Sequence, residues 1–79
     1  MERKEIATEH KELLREIGRR IKNLRKDKKF SYIKIANEMG ISRNSYNLME
    51  HGNVYFNFST LLLVLNYHDI SLMDFFRDL

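Results

Sequence analysis

Between Ile35 and Gly52 the chain reads IANEMGISRNSYNLMEHG. An alanine is followed four residues later by a glycine, and a polar Ser-Arg-Asn-Ser run restarts helical spacing almost at once. Gly40 stands where a helix C-terminus favours positive φ, a conformation glycine adopts at little cost. Ser42 is a good N-cap for the helix that follows. Helices joined by a turn of about three residues containing glycine cross at roughly 90–120° rather than lying antiparallel. The pairing therefore serves something other than a bundle. Ala36 is small where the later helix crosses it. Ile41, Tyr46 and Met49 are the side chains placed to hold that helix at its angle.

The remaining pattern is helical throughout. Proline is absent and only Gly18, Gly40 and Gly52 interrupt the apolar periodicity, so an all-α fold of five helices is expected within a single domain, residues 1–79. Ile6, Leu13, Ile17, Ile21 and Leu24 form one stripe, which predicts a first helix from Thr8 to Asp27 with Thr8 as a plausible N-cap. Residues 1–8 are expected as a frayed arm or an extension of this helix. Gly18 lies inside it at a cost of about 1 kcal/mol, implying close approach by a neighbour. Ser31 caps a second helix, Tyr32 to Met39, and Ser42 a third, Arg43 to His51, which Gly52 ends. Asn53 to Phe56 form a loop, and Asn57 or Ser59 caps a fourth helix ending at Tyr67. Asp69-Ile70 turn the chain. Ser71 with Asp74 resembles a capping box for the last helix, lined on one side by Leu72, Phe75, Phe76 and Leu79.

Several functions are disfavoured. There is no cysteine, and His10, His51 and His68 do not cluster at ligand spacing, so neither metal nor cofactor is expected. No nucleophile–base spacing and no phosphate-cradling glycine loop points to an enzyme. No apolar run approaches the roughly 20 residues of a membrane span, and MERKEIATEH is too polar for a secretory signal, so a cytoplasmic protein is expected. Charge is uneven: residues 1–29 carry 11 Lys/Arg against 6 Asp/Glu, residues 30–79 only 3 against 5. Such a basic run is usually a solvated helix face and becomes a phosphate-facing patch only with support from elsewhere.

That support is the steep helix pair, whose protruding member fits a groove about 12 Å wide, the major groove of B-DNA. The segment LRKDKKFSYIKIANEMGISRNSYNLMEHG resembles the Cro/C1-type helix-turn-helix of phage repressors, the xenobiotic-response-element family of bacterial regulators. Its marks are Ile21, Leu24-Arg25, Ser31, Ala36, Gly40-Ile41-Ser42, Glu50-x-Gly52 and the Leu61, Leu65, Ile70, Leu72 tail. The resemblance implies a lambda-repressor-like domain that binds double-stranded DNA to regulate transcription. It also implies a structural ion pair of Arg25 with Glu50, tying the first helix to the recognition helix. Tyr32 departs from the glutamine usual at the start of the second helix; a phenol can still donate to a phosphate. Tyr46 stands where Val or Ile is usual.

Base-reading residues are expected at the outer N-terminal part of the recognition helix: Arg43, Asn44 and Asn47, flanked by Ser42 and Ser45. Arginine suits guanine O6 and N7, and asparagine suits adenine N6 and N7. Leu48 faces outward by helical phase, toward a thymine methyl or as edge packing. Phosphate contacts are expected from Tyr32, Lys34, Asn53 and Tyr55, with Arg20, Arg25, Lys28 and Lys29 of the basic run beside them. Leu61-Leu62-Leu63-Val64-Leu65 is apolar all round, so Leu62 and Leu63, with Tyr67, Met73 and Phe76, are expected to form a homodimer interface over a near-palindromic operator. The rival reading is a protein-interaction module or antitoxin-like partner on the same fold.

Overall fold

The computed structural model describes residues 5–79, and the expectation for the first part of the N-terminal arm, residues 1–4, lies outside them. Among the described residues there are five helices and no strand: α1 (Thr8–Asp27), α2 (Tyr32–Met39), α3 (Arg43–Glu50), α4 (Phe58–Tyr67) and α5 (Leu72–Phe75). The body measures 32 × 30 × 20 Å.

One local rule starts four of these helices. The side-chain oxygens of Ser31, Ser42, Asn57 and Ser71 accept from the backbone N–H groups of Lys34, Ser45, Thr60 and Asp74. Each satisfies one of the donors that a helix N-terminus leaves unpaired. Asn57, rather than Ser59, is the cap of α4, and its Oδ1 also accepts from the hydroxyls of Ser59 at 2.9 Å and Thr60 at 2.7 Å. Thr8 is not a cap. Ala7 occupies that position on α1 and offers no side chain to it.

A second rule ends four of them. After α2, Ile41 N–H reaches back to Ala36 O at 2.9 Å and Gly40 N–H to Asn37 O at 3.2 Å, with Gly40 left-handed at φ 72°. This is the Schellman turn, whose flanking apolar residue packs back on the helix. The same pair of bonds closes α1 around Lys29, α3 around Gly52 and α4 around Asp69. Phe30, Ile41 and Ile70 follow three of these turns and all pack against the core. His51 is the cap of α3 rather than its last helical residue.

The core gathers on α1, where Ile21 is fully buried, and on Ile35, Tyr46 and Val64 from α2, α3 and α4. α3 packs on α1 and α2, and α4 bridges α2 and α5. The α1–α3 crossing is backbone to backbone. A Cβ built on Gly18 would lie 2.5 Å from the carbonyl oxygen of Met49 and closer still to that of Glu50. One built on Gly52 would lie 2.7 Å from the Arg15 backbone. Gly18 therefore marks the close approach its mid-helix position implied.

α5 is a single turn, too short to form unaided. Only Phe75 is buried from it; Phe76 is half-buried, and Leu72 and Leu79 stay exposed, so the expected four-residue stripe does not seat as a unit. It is fastened instead by Arg20, whose guanidinium donates to Phe75 O at 2.6 Å and Arg77 O at 2.7 Å.

His68, at the end of α4, has a buried Nε2 with no hydrogen-bond partner among the described residues. Burial first, and the Lys28 ammonium second, hold its pKa below the ordinary 6.5, with Asp27 opposing them. The unfolded chain thus binds the proton more readily, and stability rises with pH through the interval below 6.5. The urea midpoint should fall between about pH 7 and about pH 5.5. His68→Gln should flatten that slope; an equal slope in the variant would assign it to other groups.

Candidate nucleic-acid interface

α3 is held at both ends. Its start is fixed by the Gly40 turn and the Ser42 cap, its finish by the two glycine contacts with α1. A third fastening is ionic. Arg25 Nε donates to Glu50 Oε2 at 2.6 Å and Nη2 to Oε1 at 3.0 Å, a two-pronged pair. Its Nη1 donates to Phe30 O at 2.9 Å. The side chains are 14% and 2% exposed, so this is a buried pair and not a surface one. The Glu50 carboxylate raises the Arg25 pKa, its hydrogen bond being the largest cause. The Tyr46 hydroxyl is buried beside the pair without a hydrogen bond of good geometry. Burial first and Glu50 second push its pKa far above the ordinary 10.0, so the phenol stays neutral.

With its rear so engaged, α3 presents its N-terminal tip. Ser42, Arg43 and Asn44 are exposed, and Arg43 has no ion pair among the described residues. Ser45 and Asn47 are half-buried. The Asn47 carbonyl lies 2.8 Å from His51 Nδ1, leaving its side chain uninvolved in that contact. Of the two readings of Leu48, edge packing is the one that holds: it is half-buried against the core, on the side of α3 that the α3–α4 loop and α4 approach. A groove of about 440 Å³ remains there, lined by Ser42, Ser45, Leu48, Asn57, Thr60 and Leu63 among others.

The expected phosphate contacts divide. Tyr32 and Lys34 are exposed at the start of α2, with Lys34 Nζ 4.3 Å from the Phe30 ring centroid. Asn53 is exposed just past Gly52. Lys28 and Lys29 are exposed, Lys28 with its Nζ 5.4 Å from the Tyr67 ring centroid. Three others are engaged within the protein. Arg20 clasps the end of α5 and pairs with Glu16 at 3.1 Å, Arg25 is taken up by Glu50 and Phe30, and the Tyr55 hydroxyl turns to α1. A guanidinium facing fixed carbonyls and a carboxylate leaves few donors for a distant phosphate.

The expected self-association face is also redistributed. Met73 is 83% exposed, and Leu62 and Leu63 are 43% each. Successive helical residues point about 100° apart, and Leu63 lines the groove beside α3, so Leu62 and Leu63 do not share one face. Tyr67 and Phe76 are half-buried and turned to the body: the Tyr67 hydroxyl donates to Glu38 at 2.6 Å, and Phe76 sets its ring edge-on to Phe75 at 5.0 Å. Phe58, which the apolar pattern of α4 did not single out, is 57% exposed at the first position of that helix.

No helix among the described residues is long and apolar enough to cross a membrane. No curated protein matches the chain. Among solved structures, the restriction-modification controller protein C.AhdI from Aeromonas hydrophila is similar, with a TM-score of 0.76 and 25% identity over 82% of this chain and 98% of that one. The helix-turn-helix domain family matches residues 18–77, from the glycine on which α3 rests to the segment that Arg20 clasps. On that match, and on the capped, glycine-turned pair α2–α3, the chain belongs to the helix-turn-helix family of DNA-binding regulators.

Proposed function

We propose that this chain is a small cytoplasmic transcriptional regulator that lays α3 in the major groove of an operator. The observation that carries the reading is Arg43: exposed, without an ion pair among the described residues, and at the first position of a helix whose other end is fastened to α1. Arg43, Asn44 and Asn47 are the base readers, with Ser42 and Ser45 beside them. Tyr32, Lys34 and Asn53 are the backbone contacts, joined by the amides at the start of α2. Arg20, Arg25 and Tyr55 support the body instead. Catalysis has no place in this reading, and a cationic, amide-rich tip suits base edges better than a protein groove.

Two copies, meeting through an apolar face that includes Leu62 and Met73, would read half-sites about 34 Å apart on a near-palindromic operator. The similarity to a restriction-modification controller supports an operon-controlling role. Selection of bound fragments from randomised duplex DNA tests the whole reading. It should return two inverted half-sites; a single half-site would remove the dimer, and no enrichment would remove sequence-specific binding. Arg43→Ala should relax one base position, at a cost of about 1–3 kcal/mol on the preferred sequence. Lys34→Ala should weaken all sequences alike and lower the salt slope by about one. Equal, sequence-blind losses from both would contradict the division into readers and anchors.

A further inference from the structure

We propose that the N-terminal half of α1 is a splint for the α3–α4 loop, and that Tyr55 is the positioning residue through which it supports DNA binding. The inference rests on the DNA-binding reading above but concerns residues that the reading does not use. The loop leaves α3 at Gly52, where the missing side chain lets the backbone lie against Leu14 and Arg15. Three residues later the Tyr55 hydroxyl accepts from Ala7 N–H at 3.2 Å and lies 2.7 Å from His10 Nδ1. With Nδ1 as the acceptor, the phenol gives its proton to His10 and takes one from Ala7, so both capacities are used. The two rings meet edge to face, centroids 5.7 Å apart.

Ala7 gives α1 no side-chain cap of its own. Tyr55, from 48 residues away, takes up a different donor of the same helix start, the N–H of Ala7 itself, which in a capping box a side chain three residues on would satisfy. Arg15 and Ala7 are separated by about 12 Å of helix, so the loop is fastened to α1 at two separate points. Between the fastenings stands Asn53; just beyond them Asn57 starts α4. Neither Ala7 nor His10 falls within the family match, which begins at residue 18. The part of α1 that holds the loop beside the recognition helix lies ahead of that match. A loop ordered beforehand loses less freedom when it meets a phosphate backbone, and the saving appears as affinity for any sequence.

The test uses the full chain and Tyr55→Phe, which keeps the ring and removes the hydroxyl. Affinity for a random-sequence duplex should fall about fivefold, and affinity for a selected operator by the same factor. Amide exchange across residues 53–57 of the free protein should quicken by a similar factor while the urea midpoint stays close to wild type. His10→Ala should shift both readouts in the same direction. Unchanged affinity in Tyr55→Phe overturns the proposal while leaving DNA binding intact. So does a loss of affinity matched by an equal loss of global stability. If the wild-type chain shows no salt-dependent binding to DNA, the DNA-binding reading falls and takes the splint with it.

Discussion

Gly18→Ala is expected to lower the thermal midpoint by about 10 °C and to abolish tight DNA binding. Two effects of opposite sign compete at this position. Alanine is the better helix former by about 1 kcal/mol, so in an unobstructed helix the change would stabilise. Here the new methyl meets the carbonyl oxygens of Met49 and Glu50, which are backbone atoms and cannot swing aside. Overpacking of this kind costs about 1–3 kcal/mol and more when backbone must move. The clash wins, since relief requires α3 to slide off α1 and take the Arg25–Glu50 pair with it. A domain of this size shifts about 4–8 °C per kcal/mol. Thermal melting with a parallel DNA-binding measurement decides the matter: a higher midpoint in the variant would mean that α1 and α3 are not in backbone contact.

Arg25→Ala should cost about 3–5 kcal/mol, the range for breaking a buried ion pair from one side. The truncation strands the Glu50 carboxylate, only 2% exposed, and leaves Phe30 O without its donor. An exposed pair would lose less than about 1 kcal/mol, so urea denaturation separates the two cases. Replacing both partners together, as Arg25→Met with Glu50→Leu, should recover most of the loss, because no buried charge then remains unpaired. Arg25→Lys should recover little, because an ammonium cannot make the two-pronged contact while also reaching Phe30. A single-variant cost below about 1 kcal/mol would show the pair to be open to water.

Much of the fold was legible because its signals are local. Ser31, Ser42 and Gly40 set the bounds of α2 and the start of α3 within a few residues of sequence. Gly18 announced a close neighbour, though not which one. The five-helix, all-α expectation and the Cro/C1-type resemblance both hold, the first in the helices and the second in the family match. The roles of Arg20 and Tyr55 were not legible. Arg20 meets the Phe75 carbonyl 55 residues away, and Tyr55 meets the Ala7 N–H 48 residues away and the His10 ring 45 residues away. Backbone partners leave no mark in a sequence, and no local spacing joins Tyr55 to so distant a histidine. A basic run beside a recognition helix reads as a phosphate patch on charge alone, yet Arg20 is drawn off by carbonyls at the end of a helix too short to hold itself. Leu48 stayed open between a thymine methyl and edge packing for a related reason: helical phase fixes direction but not which neighbour lies there, and the neighbours are the α3–α4 loop and α4. Arg25 with Glu50 was suggested by resemblance, and no spacing rule would have joined them.

Because Gly18 and Gly52 let two main chains touch, the reading head has no hinge between itself and the frame. Recognition by such a head works by fit or refusal. On the proposed reading, a duplex that does not match the tip would not be accommodated by tilting it, and discrimination would fall on the few exposed side chains at the end. New preferences are then reached by exchanging those side chains while the mount beneath stays as it is, much as type is swapped in a fixed press.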